Sequence, residues 1–323
     1  MMNPKRILIL DKMHRSIGPM LSEIGWDADY RPAITREEIL AIIPDYEGLI
    51  IRSKTSVDKE LIDKASRLKL VARAGAGLDQ IDRKALEARN IQLINAPEGN
   101  RSALGEHAVG MLLSLMHNVH RAANEMKAGV WRREANRGIE LAEKTVGIYG
   151  YGYMGSAFAE KLAGFGCRVI AYDKFKEDFG SRQVQEVSLE HFEQETEILS
   201  IHVPLTSETR MLFTADYLRK YPKLKFIINT ARGEVLSMKG VLDLLEEGRL
   251  LGAGLDVLEN EKLDQLSADE KQVFDALAKR EDVILTPHIA GWTYESYVRI
   301  NEVIVKKMVE LGMGTHLAQT SKN

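Results

Sequence analysis

Residues 145–173 read TVGIYGYGYMGSAFAEKLAGFGCRVIAYD. Val146 and Ile148 lead as a buried strand into Gly150-Tyr151-Gly152-Tyr153-Met154-Gly155. From Ser156 to Phe165, small and apolar residues share one face of a helix. Cys167 to Tyr172 is a second buried strand, ending at Asp173. Strand, glycine turn, helix, strand and acid follow in the order a dinucleotide site requires. Gly150 permits the tight turn, Gly152 lets a pyrophosphate approach the backbone, and Gly155 lets the helix lie close to the sheet. The phosphates are expected on the free N–H groups of the helix start, at Tyr153 and Met154. A glycine motif alone also serves plain turns; the flanking strands and the acid make this one specific. Asp173 is expected to accept hydrogen bonds from the ribose of NAD and to repel the extra phosphate of NADP. Lys174 and Lys176, just beyond it, leave slight room for NADP.

At 323 residues the chain exceeds the size at which a single core usually keeps growing, so two domains are expected. The composition is 45% apolar with a formal charge of -3, without the basic excess that attracts nucleic acid. Apolar runs are short and interrupted, which argues against a membrane span. The opening MMNPKRILILDK is too short and strand-like for a signal peptide. The one cysteine, Cys167, excludes an internal disulfide and fits a reducing, cytoplasmic setting. Its place at a strand start reads as core filler.

Read from the start, the chain alternates. Strands are expected at 6–10, 26–30, 47–51, 68–72 and 91–95, and helices at 13–24, 35–42, 58–65 and 83–89. Thr35-Arg36-Glu37-Glu38 is a capping box. The alternation predicts a parallel, doubly wound unit, with Arg52-Ser53, Arg73 and Gly75-Ala76-Gly77 at its ligand-binding edge. Residues 96–100 punctuate the chain as a domain crossing. A single long helix is predicted from Ala103 to about Met126, apolar enough to be buried between domains or against a partner subunit. His107, His117 and His120 on it read as packing or surface residues, not as metal ligands. Trp131 is expected to anchor the following GVWRR connection by packing. Beyond the glycine unit, strands at 198–203, 226–229, 251–257 and 283–285 end in Pro204, Arg232, Asp256 and His288. A last helix over 293–311 is expected to return to the N-terminal domain, followed by a short polar tail.

Three side chains stand out chemically. Arg232 follows an apolar strand and precedes a glycine, and its planar fork suits a carboxylate. A surface arginine paired with an acid fits the same spacing. His288, just past a strand, can exchange a proton near neutral pH, or it can simply be a cap or core histidine. Glu261 lies in an acidic run and is unremarkable alone.

Nearly the whole chain resembles the D-isomer-specific 2-hydroxyacid dehydrogenases, with a look toward the phosphoglycerate-oxidising members. The resemblance is carried by VARAGAGLDQID at 71–82, the glycine motif at 150–155, VPLTSETR at 203–210, NTARGEVL at 229–236, GAGLDVLENE at 252–261 and LTPHIAGWT at 285–293. It implies an α/β fold of two doubly wound parallel-sheet domains. A Rossmann cofactor domain, 101–290, is inserted in a flavodoxin-like substrate domain made of 1–100 and 291–323. It implies hydride transfer between NAD and C2 of a 2-hydroxy acid, with Arg232, Glu261 and His288 catalytic. His288 exchanges the proton, Glu261 orients it, and Arg232 clamps the substrate carboxylate beside the amides of Ala76 and Gly77. Further cofactor contacts are implied at Val203, Pro204 and Thr209, and at Thr230 and Ala231. Asp256 and His288 complete that edge, Asp256 being expected to support loops and not to transfer protons. A homodimer built through the cofactor domains is implied, with a small 2-oxo or 2-hydroxy acid as the other partner, and neither nucleic acid nor membrane.

The substrate reading turns on arginines. Arg52, with Ser53, and Arg73 and Arg133 match the distal-phosphate environment of the phosphoglycerate enzymes, and the resemblance implies that Arg133 reaches across the dimer. Solvent charge is the alternative. Trp292 stands where those enzymes are smaller and polar, and is expected either to narrow the substrate entrance or to pack under the last helix. Lys262 replaces a usual proline, and 262–280 looks longer than usual. These departures leave glyoxylate, hydroxypyruvate or pyruvate as competing substrates for phosphohydroxypyruvate of the serine pathway. No added regulatory domain, and so no serine feedback, is expected. A corepressor-like binding protein is the reading from another class; it calls for an apolar peptide groove on the N-terminal domain.

Overall fold

The computed structural model describes residues 5–314. The chain forms two compact units, one from the residues up to Asn100 together with those from Trp292 onward, the other from Arg101–Gly291.

In the first unit, strands β1 (Lys5–Ile9), β2 (Trp26–Tyr30), β3 (Gly48–Ile51), β4 (Leu70–Arg73) and β5 (Gln92–Asn95) pair in parallel, in the order 2-1-3-4-5. Burial on both faces explains why the central strands are continuous apolar runs and not alternating ones. One face packs Ile7, Ile9 and Ile50 under Ile300, Ile304 and Met308 of the helix Tyr294–Glu310. The other packs Leu8, Leu49 and Val71 against Ile39, Leu61 and Ile62. The last helix is tied down by Lys307, whose Nζ donates to the Asn95 carbonyl and to Glu98. Gly99 is required beneath it, since a Cβ there would lie 2.7 Å from the Ile300 backbone. Order reverses between β1 and β3, and ligands bind at such switch points.

The second unit holds β6 (Thr145–Tyr149), β7 (Arg168–Tyr172), β8 (Gln185–Glu186), β9 (Ile198–Ile201), β10 (Phe226–Asn229), β11 (Gly252–Leu255) and β12 (Val283–Leu285). They form one parallel sheet in the order 12-11-10-9-6-7-8. This is the doubly wound order of a Rossmann unit, with its reversal between β6 and β9. The two-residue strand β8 has too little pattern to be read in advance.

Several expectations are corrected. The long helix is two, Pro97–Met116 and Val119–Lys127, broken at Asn118 in the left-handed region (φ 53°). Asparagine tolerates that conformation, and its Nδ2 donates to the Arg137 carbonyl. Pro97 opens the first helix instead of punctuating the chain, because the N1 position needs no N–H. Trp131 does not pack: it is 78% exposed. At the chain end, most of the expected polar tail lies outside the described residues. The Met313 carbonyl, still within them, accepts from the Trp26 indole at 2.7 Å. Among the described residues no cluster of histidine, cysteine or acid could hold a metal, and no helix is long and apolar enough to cross a membrane.

Candidate active site

The glycine loop between β6 and the helix Tyr153–Leu162 is shaped by close approach. Gly150 has φ 95°, and a Cβ there would meet the His202 carbonyl at 2.9 Å. A Cβ on Gly155 would lie 2.1 Å from the Gly150 carbonyl oxygen, so helix and loop touch through bare backbone. Around Gly152 there is nothing within 4 Å of such a carbon. The helix has no side-chain cap and no acid in its first turn. Its first amides therefore face open space with their partial positive charge uncompensated, which fits a pyrophosphate. The Thr230 hydroxyl, 5% exposed just after β10, is buried with no hydrogen-bond partner among the described residues, a second polar group that a ligand can satisfy.

Asp173 is held by the backbone. Its Oδ2 accepts from Tyr151 N–H at 2.8 Å and its Oδ1 from Phe175 and Lys176 N–H at 2.9 and 3.2 Å. A carboxylate has about four acceptor sites, so room for ribose hydroxyls remains. Lys174 pairs with Glu208 and Lys176 donates to the Tyr151 carbonyl, so both lysines are already engaged. Beside the loop, Thr209 turns its hydroxyl to the Pro204 carbonyl and braces the turn after Val203. His202, under the loop, is buried; that burial lowers its pKa to about 3, and one ring nitrogen shares a 2.8 Å hydrogen bond with Ser200.

The chemistry-bearing residues of this unit gather at the carboxyl ends of β10, β11 and β12. After β10, Ala231 N–H donates to Asn229 Oδ1, and Arg232 is half-buried with Nη1 on the Ala231 carbonyl. Gly233 allows the 258–259 backbone to press against this turn: a Cβ would sit 1.8 Å from the Leu258 carbonyl oxygen. That contact delivers the segment bearing Glu261. His288 Nδ1 lies 2.9 Å from Glu261 Oε1 and 3.1 Å from Oε2. With Nδ1–H donating to the carboxylate, Nε2 is the nitrogen left to exchange a proton. Both side chains are 48% exposed, so the pair contributes little to stability.

His288 also has a left-handed backbone (φ 54°), unfavourable for a side chain with a Cβ. Asp256 imposes it. This residue, 1% exposed, accepts His288 N–H on its carbonyl at 2.7 Å, while its carboxylate accepts Ile289 N–H at 2.9 Å and Ala290 N–H at 2.8 Å. The Thr286 hydroxyl donates to the same carboxylate and also lies 3.3 Å from His107 Nε2. Asp256 thus shapes the loop that presents the imidazole. His107 belongs to that bracing, His117 is exposed, and His120 shares only a long 3.4 Å contact with the Ser114 carbonyl.

In the first unit the edge residues lie at the carboxyl ends of β1, β3 and β4. Asp11, buried beyond β1, accepts the amides of Arg52 and Lys54 at 2.7 and 3.1 Å and lies 3.4 Å from that of Ser53. No sequence motif marked Asp11. Arg52 is half-buried, and its guanidinium carbon stands 3.4 Å from the centre of the Trp292 ring. Ser53 is exposed. Trp292 thus stacks on an arginine, and its ring centre lies 5.2 Å from that of Tyr297 in the last helix. Arg73 folds back over its own loop, Nη1 on the Ala74 carbonyl, where a Cβ on Gly75 (φ 137°) would lie 1.7 Å from Nη1. Ala76 and Gly77 are half-buried, and the Ala76 carbonyl accepts from Asn95. Arg133 lies in the second unit, exposed at the start of a short turn.

A doubly wound unit with an open glycine loop, an acid at the next strand end and an imidazole–carboxylate pair across the reversal defines a dinucleotide-binding protein of the oxidoreductase type. The chain belongs to the D-isomer specific 2-hydroxyacid dehydrogenase family, whose NAD binding domain matches residues 109–290. It is 34% identical to the hydroxypyruvate reductase of Thermotoga maritima over 87% of this chain and 90% of that one. It is 31% identical to the D-3-phosphoglycerate dehydrogenase of Archaeoglobus fulgidus over 96% of this chain but only 58% of that protein, so it spans little more than half of that relative's length. Among solved structures it resembles an Aquifex aeolicus D-lactate dehydrogenase complexed with NAD and lactic acid, with a TM-score of 0.79, 25% identity and 96% of each chain covered.

Proposed function

We propose that this protein is an NAD-dependent dehydrogenase that interconverts a D-2-hydroxy acid and its 2-oxo acid. The observation that carries the reading is the Glu261–His288 pair, held in a strained backbone with Nε2 open. NAD, when bound, takes or supplies the hydride at C2. Protonated His288 donates from Nε2 to the carbonyl oxygen in reduction, and neutral His288 accepts the hydroxyl proton in oxidation. Glu261 fixes the ring's orientation by accepting from Nδ1–H. Arg232 holds the substrate carboxylate and favours charge developing on the reacting oxygen. The open glycine loop and the buried Thr230 hydroxyl fit the cofactor, and the engagement of Lys174 and Lys176 favours NAD over NADP.

Hydroxypyruvate and glyoxylate are the substrates favoured by the match to a reductase of nearly equal length. A distal phosphate is the second reading, favoured by Arg52, which stands half-buried on an aromatic face. An NADH-oxidation panel of glyoxylate, hydroxypyruvate, phosphohydroxypyruvate, pyruvate and 2-oxoglutarate tests both. His288→Ala should lower turnover of the preferred acid by roughly 10²–10⁴-fold; normal turnover in a folded variant defeats the proposal. The corepressor-like reading finds less support. A cleft of about 410 Å³ on the first unit mixes Leu78, Leu86 and Ile91 with Arg83, Glu87 and Gln92, and so lacks an apolar lining.

A homodimer through the second unit is part of the proposal. Val119, Met126, Val130, Trp131 and Ile139 are exposed there. The loop bearing Trp131 is braced: Glu125, 7% exposed, pairs with Arg132 and accepts from Asn136 Nδ2 at 2.6 Å. A rigidly displayed aromatic is the usual anchor of a protein interface. Trp131→Ser should shift the sedimenting species toward monomer, and an unchanged dimer would remove this face from consideration. A cytoplasmic setting fits the single free thiol.

A further inference from the structure

Beyond β11 the second unit carries Asp256-Val257-Leu258-Glu259-Asn260-Glu261 out of its sheet. Among the described residues, 257–261 make no backbone-to-backbone hydrogen bond. A stretch without a ladder has to be placed by packing and by side chains. Glu261 does little for its own placement: it is 48% exposed, and among the described residues its polar partner is His288. Its carboxylate nevertheless meets Nδ1 at 2.9 Å. The restraint on Glu261 therefore acts through the residues just before it.

Packing supplies one restraint. Val257 is buried, and the Leu258 carbonyl presses on Gly233 with no room for a side chain between them. Asn260 supplies a second. Its Oδ1 accepts Lys262 N–H at 3.0 Å, and its Nδ2 lies 3.4 Å from Glu270 Oε1 in the first turn of the helix Ala268–Ala278. Glu259 supplies the third, and it reaches another element. Its Oε1 accepts the N–H of Met238, the first residue of the helix Met238–Glu246. That helix already has a cap of its own, because the Ser237 side chain accepts Gly240 N–H at 3.0 Å. Burial pushes the Glu259 pKa up, and Glu270 and Glu234 add to that shift, while the Met238 amide opposes it. The position thus favours an acceptor oxygen with this reach more than it favours a charge.

We propose that Glu259 is a positioning residue: by holding the start of the helix Met238–Glu246 it sets the backbone from which Glu261 reaches His288. This rests on the dehydrogenase reading above and names a further residue of the same site. The simpler role is to satisfy the Met238 amide, on a residue 7% exposed, with no effect on Glu261. The two roles differ in whether the effect of Glu259 passes through Glu261.

Glu259→Ala removes the acceptor, and Glu259→Gln keeps an oxygen at the same reach. With the preferred acid, Glu259→Ala should lower kcat by about tenfold and leave the KM values for NADH and the acid within about threefold, since misplacement strikes the chemical step. Glu259→Gln should recover kcat to within about threefold of wild type. In a Glu261→Ala background, adding Glu259→Ala should change kcat by less than about twofold, because residues acting through one group are not additive. The proposal is overturned by a folded Glu259→Ala protein with kcat within about twofold of wild type, by a Gln variant as impaired as the Ala one, or by a further loss of about tenfold in the Glu261→Ala background. Should Glu259→Ala not fold, Glu259→Asp, which withdraws the oxygen by one methylene, is read by the same criteria. Should the wild-type protein turn over none of the acids, the dehydrogenase reading fails by itself. The inference is then decided by nitrogen NMR of protein with isotope-labelled histidine, at a pH where the ring is neutral, the His288 signals being those missing in His288→Gln. An Nδ1–H tautomer in wild type and Glu259→Gln that gives way to a mixture in Glu259→Ala upholds it, and any other pattern overturns it.

Discussion

Replacing Asp256 by asparagine tests whether the strained presentation of His288 is imposed from below. The carboxylate accepts two backbone amides and the Thr286 hydroxyl in a site that is 1% exposed. Hydrogen bonds to a charged acceptor contribute about 1.5–3 kcal/mol each. Asparagine can keep one oxygen facing Ile289 and Thr286, but its NH₂ then confronts the N–H of Ala290, a residue 2% exposed. One charge-assisted bond is lost and a buried donor is left unmet, a local cost of about 2–4 kcal/mol. The left-handed conformation of His288 adds about 1–2 kcal/mol that the loop must hold. Partial relaxation worth about 1.4–2.8 kcal/mol predicts a 10–100-fold fall in kcat. The KM for NADH should stay within about threefold, because the carboxylate faces the loop. Steady-state kinetics with both substrates varied, alongside thermal melting, is the assay. A kcat within twofold of wild type refutes the bracing argument. A raised KM for NADH with kcat intact reassigns Asp256 to the cofactor.

Two substitutions in the glycine loop should separate folding from binding. Gly155→Ala puts a carbon 2.1 Å from a backbone oxygen and should lower both Tm and NAD affinity, whereas Gly152→Ala meets no protein atom within 4 Å and should keep Tm within about 3 °C while NAD affinity falls at least tenfold. Parallel losses in both, seen by calorimetry and melting, would contradict this. His202, held to about pKa 3 by burial, stays neutral in the folded protein while the unfolded chain takes up a proton below about 6.5. Stability is therefore fully present above pH 6.5 and declines as pH falls toward 3, by about 2 kcal/mol at pH 5 from this group. His202→Gln should flatten the urea-denaturation stability between pH 7.5 and pH 5 by about that amount, and an unchanged slope would exclude it.

What the sequence discloses follows from the range of each interaction. The glycine loop, Asp173 and the strand alternation are local patterns, set by φ freedom and burial within a few residues, and they are legible. The same holds for the Thr35 capping box, present as read. The break at Asn118 is not legible, because one asparagine in an apolar run has no periodicity to betray it; its left-handed turn is held by Arg137, distant in sequence. Asp11 is hidden for the same reason: an ordinary acid after a strand acquires its role only when the β3 loop arrives above it. Trp131 reads as an anchor by composition, and only the Glu125 knot shows that the loop instead displays it. The capping box at Thr293 and Ser296 is local, whereas the arginine that Trp292 beside it stacks on, Arg52, comes from the other end of the chain.

The two edges spend stability differently, and that difference separates site from scaffold. A pair as exposed as Glu261–His288 contributes at most about 1 kcal/mol, less than the strain of a left-handed histidine beside it. Selection for stability alone would relax that residue. Three acceptor bonds to a buried carboxylate work against the relaxation, and they are directed at this loop and not at the core. Arg52 shows the same logic with the opposite sign of charge. A cation drawn from water beside aromatic rings lowers stability unless an anion meets it, and the chain anchors its backbone on Asp11 so that it stays there. Features that cost stability and are nevertheless braced from several sides are the physical signature of residues kept for a ligand.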